Sequence, residues 1–575
     1  MQFKDPPKEY DVCIVGSGAG GGMAAKVLTE AGAEVLMLEA GPWYNTQRDS
    51  HEMEWVYESP TRGAPLNNPF GDFDAAMGGW EIDGEPYSSN KGSNFDWFRS
   101  RMLGGRTNHW GRVSLRYGPD DFRAASIDGL GVDWPISYKD IKPYYDRLDR
   151  LVGIFGTKEN FHNSPDGIFM KPPPPRCYEL YIKEKCKSLG IPVFPARLSI
   201  ITETLNGRAP CHHCGQCYRG CKTQSNFSSP TVLIPPAMDT GNLKIINNAM
   251  VRTVTYNNGK ATGVSYINKK DGKEYKVRSK IVVLAASSCS SARILLNSKS
   301  SDFPNGLANS SGAVGKYLMD NTGTTVRALI PKMMNRFPHN EDGADSQHIY
   351  IPWWLDNKKL DFPRGYHVEM YGGLDMPMYG FQNNIQNYNA NYDYVDNSSH
   401  PKGGGGYGKQ LKEDYRRFFG SFITFEAFGG TYGRKDNYCE IDPHKVDKYG
   451  IPTLKFNYTW TDHEFKQVRH AQKTLRNLVN KMRGTVFGDM PSEEEGYGIW
   501  TPGQVIHEVG TIRMGNDPKN SVLNKYCQTH DVDNLFVADG GPFVSVAHKN
   551  PTWTIMALSM RTSDYIIDQK KKGEI

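Results

Sequence analysis

The chain has 575 residues, 38% of them hydrophobic, 23% charged and 12% aromatic, with a formal net charge of +5. That length supports more than one domain and a sizeable core, while so weak a charge, with no basic block, excludes an electrostatic footprint for nucleic acid. No apolar run approaches the roughly 20 residues of a membrane helix, and the opening MQFKDPPKEYD lacks the apolar core and cleavage site of a secretory signal, so the chain taken alone reads as cytoplasmic.

The first element pattern lies in YDVCIVGSGAGGGMAAKVLTEAGAEVLMLEAG, from Tyr10 to Gly41. An apolar run, a glycine turn, a small-residue helical stretch and a second apolar run predict strand, turn, helix and strand, the start of a doubly wound α/β sheet. Gly16, Gly18 and Gly21 form G-x-G-x-x-G at the turn. The first allows the tight turn, the second lets a pyrophosphate approach the backbone, and the third lets helix pack on strand. Phosphate charge then sits at a helix N-terminus, where free N–H groups point. Glu39 ends the second strand, where an acid accepts ribose hydroxyls. The unit predicts a dinucleotide and does not by itself choose between FAD and NAD.

Farther on, KPPPPRC (171–177) is a proline-stiffened connection. The cysteines Cys211, Cys214, Cys217 and Cys221 crowd into eleven residues, while the other six of the ten are scattered, as small buried hydrophobes usually are. KIVVLAASSCSSARILLNS (280–298) predicts a buried strand, a small-residue turn and a helix, and NLFVADGG (534–541) a third strand of this type. Strands so far apart imply a nucleotide domain assembled from discontinuous pieces. Between them, residues 326–500 turn rich in Tyr, Trp, Phe, Asn and Gly, and HPKGGGGYGKQ (400–410) reads as a loop or linker.

Four further stretches carry a resemblance to the glucose–methanol–choline (GMC) oxidoreductases. They are EAGP (39–42), RMLGGRTNHWGR (101–112), GKYLMDN (315–321) and the pair HEVGTIRMGNDP with NLFVADGGPFVSVAHKNPTWTIMALSMR from His507 onward. The resemblance implies a discontinuous Rossmann-like FAD domain over 1–325 and 500–575. It also implies a substrate domain with an antiparallel sheet over 326–499, to which 46–95 contribute. FAD is then expected against Gly104, Gly105, Asn108 and His109, against Val251, and against Asp539 and Gly540. In some members a histidine at or near the place of His109 is bonded to the flavin; in others the loop only packs on it.

The resemblance also implies a catalytic pair, His507 and Asn550, with His548 two residues away as a possible confusion. The chemistry fits these side chains. Oxidising a secondary alcohol needs a base for the hydroxyl proton while hydride leaves carbon, and imidazole titrates near neutrality. An amide can hold the substrate oxygen and stabilise its developing charge. Trp353, Trp354 and the polar aromatic middle are expected either to stack on a pyranose or to pack the core.

CHHCGQCYRGC reads C-x2-C-x2-C-x3-C from Cys211 to Cys221, a run shared with bacterial ferredoxins. An iron–sulfur cluster in the 205–225 segment is the expectation, with zinc or unligated thiols as the alternatives; disulfides two residues apart would strain the backbone. The subset Cys211, Cys217 and Cys221 resembles the three-iron site of bacterial FAD-dependent glucose dehydrogenases, so a 3Fe-4S or a 4Fe-4S cluster is expected. The chain most resembles the catalytic subunits of glucoside 3-dehydrogenase, gluconate 2-dehydrogenase and glucose dehydrogenase. This implies a sugar or glycoside substrate, a small subunit carrying an export signal, a haem c subunit as electron acceptor, and a periplasmic location by co-export. An oxygen-using oxidase and a non-catalytic flavin or zinc redox sensor are the alternatives.

Overall fold

The computed structural model describes residues 8–50, 52, 78–215, 217, 220–336, 348–352, 360–372, 408–418 and 420–575. Trp353, Trp354 and residues 400–407 lie outside them. In chain order, β1 (Glu9–Val15) runs through α1 (Ala19–Glu30) into β2 (Val35–Leu38). Next come α2 (Cys177–Ser188), β3 (Phe194–Pro195), β4 (Leu243–Ile246), β5 (Ala249–Asn257), β6 (Lys260–Asn268), β7 (Glu274–Leu284) and α3 (Ser288–Asn297). Then β8 (Thr322–Leu329), β9 (Ile349–Ile351), β10 (Tyr366–Gly372) and β11 (Phe422–Gly429) precede α4 (Asp462–Lys481), β12 (Thr485–Val486), β13 (Leu535–Val537) and α5 (Thr552–Lys572).

The first sheet has the order β5-β6-β7-β1-β2-β4, and β13 also pairs with β7. Its centre is parallel, with Val15 opposite Leu284 and Leu38, and Leu284 opposite Val537. Parallel strands covered on both faces need continuous apolar runs, and Val12 to Val15, Val35 to Leu38 and Ile281 to Leu284 are all buried. α1 and α5 cover this sheet; Ala24, Ala25 and Leu28 of α1 share one buried cluster with Phe536 and with Ile566 of α5. The three predicted strands thus form one sheet, as the discontinuous reading requires.

The second sheet has the order β12-β8-β11-β10-β9-β3. It is antiparallel and two-faced. Val326 and Ala328, Val368 and Met370, and Ile423, Phe425 and Ala427 point to one side, where they pack with Leu475, Leu478 and Val479 of α4 and Tyr181 and Ile182 of α2. Each buried Val, Leu, Ile, Phe or Met among them contributes roughly 1.5–3 kcal/mol. α4 starts where Thr461 caps it, its N–H donating to Glu464 Oε2 at 2.7 Å. Its buried positions 468, 471, 475, 478 and 479 recur at helical spacing on one stripe. The alternate residues of the strands, His367, Glu369 and Tyr371 on β10 and Glu426 and Phe428 on β11, belong to the opposite face. That face roofs the site.

Candidate active site

A cavity of about 590 Å³ runs from the glycine turn after β1 to the polar face of the second sheet. At one end the backbone is shaped for close approach. Gly16 sits at φ +100, and a Cβ there would lie 2.3 Å from Ala285 O; a Cβ on Gly21 would lie 1.9 Å from Gly16 O. Gly21 therefore packs helix on turn and does not face the cavity. Gly18 does: a Cβ there would meet only Gly104 O at 4.0 Å, and Gly105 approaches Gly18 from across the space. Gly18 caps α1 with no side chain, so the first-turn N–H groups open onto the cavity.

Glu39, buried at the end of β2, also lines it, its carboxylate accepting from Ser17 Oγ at 2.5 Å and Gly41 N at 2.8 Å. Burial pushes its pKa up. Arg99, Arg101, Arg106 and Arg293 stand around the same walls. A glycine cradle, an open helix N-terminus, an acid and arginines match the ribose and diphosphate of a dinucleotide, and the volume suits a large ligand.

Val251, His109, Asp539 and Gly540 also line the cavity, whereas Gly104 and Asn108 stand behind it. Asn108 Nδ2 donates to Leu103 O at 2.9 Å and Gly105 O at 3.2 Å, so it shapes the loop, and Gly104 packs against Pro230. His109 is buried with its Nε2 3.2 Å from Ser100 Oγ. Burial, with Arg112 and Arg106 nearby, lowers its pKa to about 3. Asp539 accepts from Ser291 Oγ at 2.5 Å and Gly541 N at 2.8 Å, and burial raises its pKa to about 6.

At the other end His507 and Asn550 meet, Asn550 Nδ2 lying 3.4 Å from His507 Nε2. His507 Nδ1 lies 2.9 Å from Asn321 Oδ1. Asn321 Nδ2 donates to Gly429 O and Ala547 O, each at 2.7 Å, which turns its oxygen towards the imidazole. Nδ1 must then carry the hydrogen, leaving the lone pair of Nε2 towards the cavity. Asp320, one residue before Asn321, accepts from the N–H groups of His507 at 3.1 Å and Gly503 at 2.8 Å. Burial and the Glu508 charge raise the Asp320 pKa to about 7.

Ile506, before His507, is a β-branched residue at φ +64, a conformation costing about 1–3 kcal/mol. Arg106 braces it, donating to Ile506 O at 3.2 Å and Glu508 Oε2 at 2.8 Å. Burial lowers the His507 pKa to about 3 against the opposing pull of Glu369, so the ring enters as a neutral proton acceptor. His548 lies outside the cavity lining; its carbonyl accepts from His367 Nδ1.

Glu369 and Glu426 sit directly opposite on β10 and β11, and both line the cavity. Glu369 is held by His367 Nε2 at 3.0 Å and Tyr371 OH at 3.2 Å. Burial would raise its pKa, yet the His367 hydrogen bond and charge hold it below the usual value. Burial and the Glu369 charge raise the Glu426 pKa to about 7. These acids, with Asn321, Asp320 and Arg106, were not singled out in the sequence. Asn321 had a visible signal, since it closes the quoted GKYLMDN; the acids had only their place on the polar positions of YHVEMYG and FITFEAFG.

Among the described residues none of the ten cysteines is paired in a disulfide. Cys217 and Cys221 are buried, Cys211 and Cys214 half-buried, and Cys217 shares a packed cluster with Val113, which lines the cavity. Arg208 lies near Cys221, and its buried Nε and Nη1 have no hydrogen-bond partner among the described residues. Such a guanidinium beside thiols fits an anionic group held there.

The GMC oxidoreductase model matches residues 20–322 in its N-terminal part and 434–559 in its C-terminal part. The 2-methyl-1,2-propanediol dehydrogenase of Mycolicibacterium austroafricanum is 32% identical, over 97% of this chain and 95% of that one. The fructose dehydrogenase large subunit of Gluconobacter japonicus is 27% identical, over 98% of each. Among solved structures, pyridoxine 4-oxidase from Mesorbium loti superposes with a TM-score of 0.64 at 16% identity, over 97% of this chain and 99% of that one, a likeness of fold alone. With the family model covering more than half its length, the chain belongs to the GMC oxidoreductases, a family that binds FAD, and is an alcohol or sugar oxidoreductase acting on CH–OH groups.

Proposed function

We propose that this chain is a FAD-dependent sugar dehydrogenase oxidising a secondary ring hydroxyl of a pyranose, at C3 of glucosides. The observation that carries the reaction is the pinned His507 beside Asn550 at the cavity end, its Nε2 an acceptor that only the 3.4 Å contact from Asn550 Nδ2 engages among the described residues. Bound FAD supplies the hydride acceptor. His507 Nε2 takes the hydroxyl proton, and the Glu369 carboxylate stabilises the imidazolium that results. Asn550 steadies the substrate oxygen; its own Oδ1 is buried without a hydrogen-bond partner among the described residues, leaving an acceptor for a neighbouring hydroxyl. Phe428, Trp500 and Val505 close the walls and exclude water.

Glu369 and Glu426 support a neutral sugar. Facing carboxyls accept and donate to hydroxyls, whereas an anionic sugar acid beside them meets like charge in a low-dielectric site. The choice of C3 rests on the resemblance to glucoside 3-dehydrogenases. The test is anaerobic flavin bleaching across a sugar panel with product identification. Bleaching by glucosides with 3-keto products is the expected result; bleaching by sugar acids alone would overturn the reading.

Cys211, Cys217 and Cys221, with or without Cys214, would hold an iron–sulfur cluster that passes electrons singly to a cytochrome-type acceptor; the Nε and Nη1 of Arg208, without hydrogen-bond partners among the described residues, support an anion there. The name of the fructose dehydrogenase large subunit implies an assembly. A small subunit bearing an export signal and a haem c subunit are proposed here, with periplasmic location through them. Abundant peroxide without preference for an artificial dye would instead establish an oxidase.

A further inference from the structure

One cysteine of the run stands in a different setting from the others. Cys214 Sγ lies 3.0 Å from Glu52 Oε1, and His212 Nε2 lies 3.7 Å from the same oxygen. The three donor atoms all lie within 4.8 Å of one another. We propose that Glu52, His212 and Cys214 form a mononuclear zinc site, separate from the iron–sulfur cluster.

The donor set argues for zinc. A thiolate, an imidazole and a carboxylate together suit a borderline-soft divalent ion, whereas magnesium and calcium take oxygen ligands only. Tetrahedral zinc bonds of ordinary length set neighbouring donors about 3.4–3.6 Å apart. The observed 3.0 and 3.7 Å straddle that span and the third pair lies within 4.8 Å, so a modest closing of the three donors forms the site. Binding exchanges the thiol proton for the metal; the proton leaves to solvent and no electrons move.

The supporting contacts are already in place. His212 Nδ1 lies 3.3 Å from Thr223 Oγ1, which orients the ring and turns Nε2 towards Glu52. Glu52 Oε2 accepts from the backbone N–H of Lys222, leaving Oε1 for the shared position. Glu52 is only 1% exposed, and a carboxylate so buried is costly unless it is paired or bound to a metal. Zinc here ties residue 52 to the cysteine loop. It also withdraws Cys214 from the cluster, leaving Cys211, Cys217 and Cys221 as a three-cysteine set.

The test is metal analysis of the full chain purified anaerobically from zinc- and iron-supplemented medium. About one zinc per chain is expected in the unaltered protein. Glu52→Gln and His212→Ala should each lower zinc at least tenfold with iron unchanged, while Cys217→Ser lowers iron with zinc retained. Cobalt(II) added to zinc-stripped protein should give a thiolate charge-transfer band that Cys214→Ser loses. Zinc well below one per chain in the unaltered protein overturns the proposal. So does zinc retained in Glu52→Gln and His212→Ala, which marks adventitious surface metal, or parallel loss of iron in those variants, which makes them cluster ligands. The zinc count decides this whether or not the cluster forms.

Discussion

Asn321 is the residue on which the catalytic geometry turns, and Asn321→Leu separates its two duties. The substitution removes the donors to Gly429 O and Ala547 O, both at 2.7 Å, and the acceptor for His507 Nδ1 at 2.9 Å. Two buried carbonyls lose their partners at about 1–3 kcal/mol each, so roughly 2–6 kcal/mol of stability is lost. Without the acceptor the imidazole loses its preferred tautomer and orientation. One such bond, at about 1–1.5 kcal/mol, is worth roughly tenfold in population, so flavin reduction should slow by about tenfold. Asn321→Asp keeps an oxygen for Nδ1 and still lacks the donors. It should be destabilised like the leucine variant, reduce flavin faster than it, and show the His507 titration moved upward by the adjacent carboxylate. Stopped-flow bleaching at saturating sugar, set beside thermal unfolding, reads both effects. Equal rates in the two variants would refute the tautomer argument and leave Asn321 a structural residue.

His507→Ala should retain FAD, by its absorbance, and lose bleaching by about 10²–10⁴-fold, the usual span for a general base; bleaching at the original rate would remove His507 from that role. Gly18→Ala and Gly21→Ala should part company. The first intrudes on open cavity and should fold with weakened FAD retention, while the second places a Cβ 1.9 Å from Gly16 O and should lower soluble yield. Equal FAD retention in Gly18→Ala and the unaltered protein would sink that assignment. Glu426, faced by Glu369 and Arg327, keeps its proton to about pH 7 in the fold against 4.5 when unfolded. The native state therefore binds more protons between those values. Its contribution to stability is full below pH 4.5 and falls by up to about 3 kcal/mol by pH 7. Glu426→Gln should flatten that fall in denaturant titrations across the window, and an unchanged slope would contradict the raised pKa.

The nucleotide end was legible because its chemistry is local. Gly16, Gly18, Gly21 and Glu39 lie within one strand–turn–helix–strand unit, and each residue type answers a backbone demand visible at that spacing. Buried parallel strands leave unbroken apolar runs, so Ile281 to Leu284 and Leu535 to Val537 could be assigned to the same sheet across hundreds of residues. His507 and Asn550 came from motifs, and the structure brings them together. The supports around them were hidden for another reason. Asn321 acts through carbonyls at 429 and 547, and Arg106 through the carbonyl at 506, contacts that no periodicity announces. The reverse also holds: Asn108 and Gly104 sit in the right motif but stand behind the wall, because a loop that touches a cofactor must also be built.

The opposed acids show how such a site is tolerated. Like charges directly across an antiparallel pair destabilise the sheet, and Glu369 faces Glu426 in that register. The conflict is contained by two devices. One acid is spread over His367 and Tyr371, and the other keeps its proton to about pH 7, so below neutrality the pair carries little more than one charge. What remains is offset on the other side of the same strands, where Val368, Met370, Phe425 and Ala427 pack with Leu475 and Leu478 of α4. A period of two separates the duties residue by residue. The apolar positions fix the register, and the register sets the acids opposite one another on the cavity wall. A one-residue slip of either strand would turn its acid into the core, so the packing that stabilises the sheet also holds both acids on the cavity face.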